Sequence, residues 1–338
     1  MIPQEKSAAV SWGLHEAFGV AAFDDIHTIK DFTSSLVFRI VVRGSPFLLK
    51  ISARTSDPAR HYGCMKAAAE AGLAPRVWYT SVPDQISITD FVEAAPFPVA
   101  DALVRIPAAL RTLHALPPFP GVPNHINTSC MFLLSKGTAL DGFIQRFQAA
   151  NVLSSGESEE LFARYAQVAA VYPHDEENMV SSHNDLFKPD NILFDGHRVW
   201  LVDWEAAFLN DRYADLAVVA NLVVTNDAEE KIYLQEYFGR LPDEYQQARF
   251  FLMQQVVHMF YAMAFLLLGS SGQLIDWSET VPEFRDFHRR IWAGEVSLAD
   301  NNMKTIYGRV HWEQFLQNMR QARWNEALRI VSDWQARS

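Results

Sequence analysis

His183-Asn184-Asp185-Leu186-Phe187-Lys188-Pro189-Asp190-Asn191 runs into Ile192-Leu193-Phe194, Asp195-Gly196, Val199-Trp200-Leu201-Val202 and Asp203-Trp204-Glu205. Asp-Gly between two short apolar runs is a strong signal for a β-hairpin with a tight two-residue turn. Such a hairpin folds Asp203 back toward Asn191, where the polar loop that starts at Asp185 ends. A carboxylate and an amide oxygen brought together at the mouth of a hairpin form a hard-oxygen site suited to Mg2+ carrying nucleotide phosphates. Asp185, one loop away, is then free to orient a hydroxyl nucleophile. Taken singly, each residue has a plainer reading as a turn former or helix cap. Their ordered combination, with Asn191 six and Asp203 eighteen residues after Asp185, is what points to chemistry.

Upstream, residues 12–24 read as a first helix. Ile26 to Lys30, Leu36 to Val42 and Pro46 to Ser52 then read as an antiparallel meander, because β-branched and apolar runs are separated by polar turns. A helix over about 57–72, ended by Gly72 and Pro75, precedes two more strands, Arg76 to Thr80 and Gln85 to Phe91. Beyond Pro96 the pattern is helical, over 99–115, 138–150, 158–172, 228–239, 242–268, 282–293 and 312–335, with the hairpin as the exception. The expected fold class is therefore α+β, with a small five-stranded antiparallel β lobe (1–93) and a larger, mainly helical lobe (94–338) that share one cleft. Clefts between lobes are where ligands usually sit.

The chain has 338 residues, 49% of them hydrophobic, enough for a substantial core. Its 29 basic and 40 acidic residues leave a net charge of −11, a poor match to nucleic acid or an anionic membrane. Cys64 and Cys130 are the only cysteines, too few for a disulfide framework or a zinc cluster. With no visible export signal in MIPQEKSAAV, the expected setting is the cytoplasm. Met259 to Leu268, the longest apolar stretch, is about half a membrane span and reads as a buried helix. No P-loop, G-x-S-x-G or H-E-x-x-H motif is present, which disfavours P-loop enzymes, serine hydrolases and zincins.

The segment HNDLFKPDNILF…VWLVDWE…NDRYADLA resembles the active-site region of the choline/ethanolamine kinase and aminoglycoside phosphotransferase superfamily, whose members have a protein-kinase-like two-lobed fold. Asp-Trp-Glu followed by Asn-Asp and Asp-Leu-Ala is more similar to the choline kinases than to the antibiotic kinases. The resemblance implies ATP and Mg2+ as cofactors, Asp185 as the catalytic aspartate, Asn191 and Asp203 as Mg2+ ligands, and His183 and Asp215 as residues that fix the loop. The family usually has Asn five residues after the aspartate. Here Phe187 or Lys188 is an extra residue, and Asp190 is the fallback ligand.

Lys50, alone in the apolar run Phe47 to Ile51, needs an anionic partner or an exposed sheet edge. The kinase reading supplies ATP phosphates. The glycine-free turn Asp31 to Ser35 stands where a phosphate-covering loop would be, so backbone amides and the hydroxyls of Thr33, Ser34 and Ser35 would have to serve. A helix acid that would hold Lys50 is expected near His61, with Glu70 the only later candidate. Adenine would meet backbone groups from Asp90 to Val92. Glu205 and Asp211, with aromatics among Tyr233, Tyr237, Tyr245, Tyr261, Trp277, Trp292, Tyr307 and Trp312, are the candidates for a cationic, hydroxylated small-molecule substrate. A choline-like or amino-alcohol acceptor is the leading expectation. An aminoglycoside, sugar or other metabolite acceptor, and a nucleotide-binding pseudokinase, are the alternatives.

Overall fold

The computed structural model describes residues 2–32, 35–52, 57–119, 139–150, 152–153, 155–173, 179–270, 275, 277 and 280–337. Helix α1 (Ser7–Phe18) leads into strands β1 (Asp25–Phe32), β2 (Ser35–Val42) and β3 (Ser45–Ser52), followed by α2 (Pro58–Glu70), β4 (Val77–Ser81) and β5 (Ile86–Asp90). The five strands form one antiparallel sheet in the order β1-β2-β3-β5-β4. Alternation along β3 sends Phe47, Leu49 and Ile51 into a core with Phe38, Ile40, Ile86, Ile88 and, from α1, Val10 and Leu14. Lys50 therefore emerges on the opposite face, and it sits in the central strand, paired with Val37 and Ser87. It is not an edge lysine.

Helix α1 ends earlier than the sequence predicts. Gly19 takes φ 68° and its amide closes on His15 O at 2.8 Å, a left-handed helix stop. Val20 and Phe23, which the sequence places in that helix, pack beneath the sheet instead. Helix α2 starts at Pro58 behind an Asp57 cap that accepts from Arg60 N at 3.0 Å. Its buried residues, Tyr62, Cys64, Met65 and Ala68, join the core of the helical part rather than that of the sheet.

The helical part comprises α3 (Val99–His114), α4 (Ala139–Ala150), α5 (Ser155–Val171), β6 (Met179–Ser182), β7 (Ile192–Phe194), β8 (Val199–Leu201), β9 (Phe208–Asp211), α6 (Arg212–Val223), α7 (Asp227–Phe238), α8 (Glu244–Ser270), α9 (Phe284–Trp292), α10 (Asn301–Met319) and α11 (Ala322–Gln335). Helix α6 escapes the sequence reading because every residue from Tyr213 to Val223 is buried, which leaves no amphipathic period to detect. The stretch read as one helix over 312–335 is two, since Gln321 turns extended (φ −80°, ψ 149°) between α10 and α11. A second ladder, β6 with β9, accompanies the hairpin of β7 and β8. Helix α8 is long and apolar enough to cross a membrane, but 78% of its most apolar window is buried within the fold. Helices α8 and α10 cross closely at Gly308, where a Cβ would lie 2.8 Å from Leu266 N.

Candidate active site

Asp215, in the first turn of α6, fixes the loop that follows β6. Its Oδ2 accepts from His183 N and its Oδ1 from Asn184 N, both at 2.8 Å. His114 of α3 reaches Oδ2 at 3.3 Å and holds Tyr237 OH through its other nitrogen. Burial works against the Asp215 charge, but the bonds from His114 and His183 hold its pKa below the usual carboxylate range. Asn184 adopts φ 65°, and its amide group explains how. Nδ2 donates to Ala206 O at 3.2 Å while Oδ1 accepts from Asn210 Nδ2 at 2.6 Å, tying the loop to β9. His183 Nε2 donates to Val202 O at 2.9 Å, and its ring packs on Trp204.

The hairpin turn spans four residues, 195–198, rather than two. Asp195 caps it, accepting from His197 N, Arg198 N and Trp200 Nε1, with Gly196 at φ 92°. At the other end Val202 N donates to Asn191 O at 3.0 Å, which brings Asn191 beside Asp203. Asp203 itself is left-handed (φ 70°, ψ 67°), a conformation that costs a non-glycine residue about 1 kcal/mol and that recurs at functional sites.

Lys50 Nζ meets Asp203 Oδ1 and Glu205 Oε1, each at 2.8 Å. Burial opposes the lysine's charge, yet the two carboxylates raise its pKa above the ordinary value. Burial likewise opposes the Asp203 charge, and Lys50 reverses the effect and holds its pKa down. Glu70, the later helix acid, is exposed at the far end of α2, and buried His61 occupies the place expected for an acid. Helix α2 grips the Asp203 segment differently: Arg60 donates to Ala207 O and to Glu205 O. Among the described residues Lys50 takes its carboxylate partners from the segment that follows the hairpin, with none from α2.

Asp185 Oδ2 accepts from Lys188 Nζ at 2.8 Å and from Asn191 Nδ2 at 3.0 Å, while Asn191 Nδ2 also donates to Asp185 O. Burial raises the Asp185 pKa and Lys188 opposes that rise. Because the amide nitrogen of Asn191 faces Asp185, its oxygen is the atom left for a cation. Among the described residues no group of three His, Cys, Asp or Glu side chains is arranged to hold a metal ion by itself. The donor set of Asp203 carboxylate and Asn191 amide oxygen fits Mg2+, which usually takes one or two protein oxygens and completes its shell with phosphate and water.

Other expected site residues are placed as follows. Thr33 and Ser34 lie outside the described residues, and Ser35 begins β2 opposite Phe32 and Ser52. Asp90 closes β5, where its amide donates to Arg76 O and its carboxylate accepts from Trp78 Nε1 at 2.7 Å. The stretch through Val92 continues beyond the ladder. Asp190 lies in the 3-10 turn Pro189–Asn191. Asp211 is not a cleft residue. It is buried, caps α6 and pairs with Arg249 at 2.8 Å, with Tyr172 OH donating to the same oxygen. Glu205 faces Lys50. Tyr233, Tyr237, Tyr261, Tyr307 and Trp312 are core residues, and Trp277 already carries Arg309 at 5.2 Å from its ring centre. Sequence reasoning missed Asn184, Asn210 and His114, whose roles all depend on contacts more than 25 residues away.

The sequence pattern of the phosphotransferase enzyme family (APH) matches residues 28–251. No curated protein sequence matches the chain. Among solved structures, a choline/ethanolamine kinase family protein from Mesorhizobium loti superposes with a TM-score of 0.67 at 17% identity, covering 96% of this chain and 98% of that one. The choline kinase LicA from Streptococcus pneumoniae gives 0.56 at 12% identity over 86% and 98% of the two chains. The macrolide 2'-phosphotransferase MphH from Brachybacterium faecium gives 0.55 at 16% identity over 80% and 93%. At these identities the likeness shows a shared fold, the protein-kinase-like architecture of a small antiparallel sheet and a larger helical part. With the family pattern running from β1 into α8 over more than half of the chain, the chain belongs to the phosphotransferase enzyme family.

Proposed function

We propose that the protein is an ATP-dependent kinase that transfers the γ-phosphoryl group to a hydroxyl of a small molecule. The observation that carries this reading is the convergence of Lys50 from β3 with Asp203 and Glu205, beside an Asp185 carboxylate oriented by Asn191. In this reading Lys50 turns from its carboxylates to the ATP phosphates. Bound at Asp203 and Asn191, Mg2+ would supply neutralisation of phosphate charge. Among the described residues Asp185 Oδ1 accepts no hydrogen bond, so it is the oxygen that takes the proton of the acceptor hydroxyl. The protein's contribution is positioning and charge, since phosphoryl transfer asks little covalent chemistry of it.

The acceptor is a hydroxylated small molecule. The two carboxylates expected to welcome a cationic one are each paired with a basic side chain, Glu205 with Lys50 and Asp211 with Arg249. Amino alcohols such as choline therefore stand beside aminosugars and sugars as candidates. An ATP-consumption screen over these three classes, with Asp185→Asn as control, is expected to give acceptor-dependent turnover in the wild type alone. Equal consumption by the variant would reject the role of Asp185.

A further inference from the structure

Among the described residues α2 brings no acid to Lys50, because buried His61 stands where one is expected and Glu70 is exposed at the far end. The residue before His61 reaches elsewhere. Arg60, its side chain only 18% exposed, extends from the first turn of α2 to the segment that carries Asp203 and Glu205. Its Nη2 donates to Glu205 O at 3.1 Å and its Nη1 to Ala207 O. One turn further along α2, the Cys64 thiol lies 3.8 Å from that same Ala207 oxygen. The carbonyl between them, Ala206 O, accepts instead from Asn184 Nδ2 at 3.2 Å, in the loop that leads to Asp185. Three successive carbonyls are thus taken, two by α2 and one by the catalytic loop. The turn needs such holding: Asp203 is left-handed, and no side chain caps the 3-10 turn Trp204–Ala206 that follows it. Asp57, which caps α2, lies 3.7 Å from Arg60 Nε and so aims the guanidinium from a fixed helix start.

We propose that Arg60 is a positioning residue for the metal and phosphate site: it takes the place of the missing helix acid by holding the backbone of the turn that presents Asp203 and Glu205 to Lys50. The proposal rests on the kinase reading above. A helix acid would grip the lysine directly. Here α2 grips the peptide groups beside the lysine's two carboxylate partners, and Lys50 is secured through them. A guanidinium suits this task, since its planar fork offers donors at fixed spacing and keeps its charge. Without Arg60, two carbonyls lose a charged partner and the strained Asp203 backbone is released to relax. The Asp203 carboxylate then leaves the place where, with Asn191, it meets Mg2+.

The test reads the metal-dependent part of nucleotide affinity, which requires no knowledge of the acceptor. Titration calorimetry of the full chain with the β,γ-imido analogue of ATP, once in Mg2+ and once in EDTA, is compared for wild type, Arg60→Ala and Arg60→Lys. Arg60→Ala should weaken binding about tenfold in Mg2+ and less than about twofold in EDTA, and Arg60→Lys, which keeps one charged donor, should fall between wild type and Arg60→Ala. Where Arg60→Ala does not fold, Arg60→Lys carries the same comparison, with a smaller loss confined to Mg2+. If Arg60 only packs α2 against the turn, affinity is unchanged in both media or falls equally in both, and either result overturns the proposal. In both of those cases wild-type binding leaves the kinase reading standing, whereas a wild type that binds the nucleotide in neither medium rejects that reading and the proposal with it.

Discussion

Asp203→Asn is expected to lower ATP-dependent turnover by about a thousandfold or more, with only a modest fall in melting temperature from the weakened Lys50 pair. Asparagine is nearly the same size and tolerates the left-handed backbone that Asp203 adopts, so the substitution removes charge without forcing the chain to move. Glu205 remains on Lys50, which keeps the sheet lysine in the cleft. In the proposed reaction the loss is a carboxylate where phosphate charge would be neutralised, and removal of such a group typically costs several kcal/mol of transition-state stabilisation. Steady-state rates and thermal melts of the two proteins separate the effects. A variant that keeps more than a tenth of wild-type turnover would mean that Asp203 has no part in handling phosphate.

The second large effect concerns stability in mild acid. His258, His288 and His311 lie together in the helical core, each 3% exposed or less. His258 Nδ1 and His311 Nδ1 are 3.0 Å apart, sharing one proton, and His288 Nδ1 donates to Phe284 O at 2.8 Å. The rings of Tyr261, Phe284 and Tyr307 surround them. Burial pushes the His258 pKa down to about 3 and that of His288 to about 4, while His311 falls well below the ordinary value through burial and its two imidazole neighbours. The unfolded chain takes up these protons below about pH 6.5, and the folded chain refuses them until much lower pH. Stability is thus fully present above about pH 6.5 and falls as the solution is acidified toward pH 4. At pH 5 the mismatch at His258 and at His288 weakens the fold by roughly 2 kcal/mol each, and His311 acts in the same direction. The depressed carboxylates Asp203 and Asp215 act lower, losing their contribution only as pH falls through their own reduced pKa values. Urea melts from pH 7.5 to 5 should therefore show a steep decline, shallower in His311→Phe. A flat profile over that range would mean the cluster is not held neutral.

How much of this was legible in the sequence depends on where each signal lives. The sheet was readable because β1, β2 and β3 are β-branched and apolar runs separated by polar turns, and Lys50 stood out as a charge in an apolar strand. The hairpin was readable from Asp195-Gly196, although its length was not, because the Asp195 side chain closes two extra amides. Helix α6 was illegible for the opposite reason, being buried on all sides. The partner of Lys50 could not be found by searching α2 for an acid, since Lys50 is met from across the cleft by residues more than 150 positions away. Asp211 misled because an acidic residue near the motif looks available until Arg249, 38 residues further on, is seen beside it. Local pattern is written in neighbouring residues, whereas charge pairing is decided by the folded contacts.

The proposed reaction moves the γ-phosphoryl group of ATP onto a hydroxyl, with Asp185 taking the proton. Phosphorus NMR of ATP, Mg2+ and a mixture of amino alcohols, aminosugars and sugars follows that atom directly. With wild-type protein a phosphomonoester signal should grow in step with ADP, and with Asp185→Asn neither should form. Stabilisation of the wild type by ATP, with no ester from any acceptor and no loss of the γ-phosphorus signal, would contradict the account and leave a protein that binds nucleotide without using it.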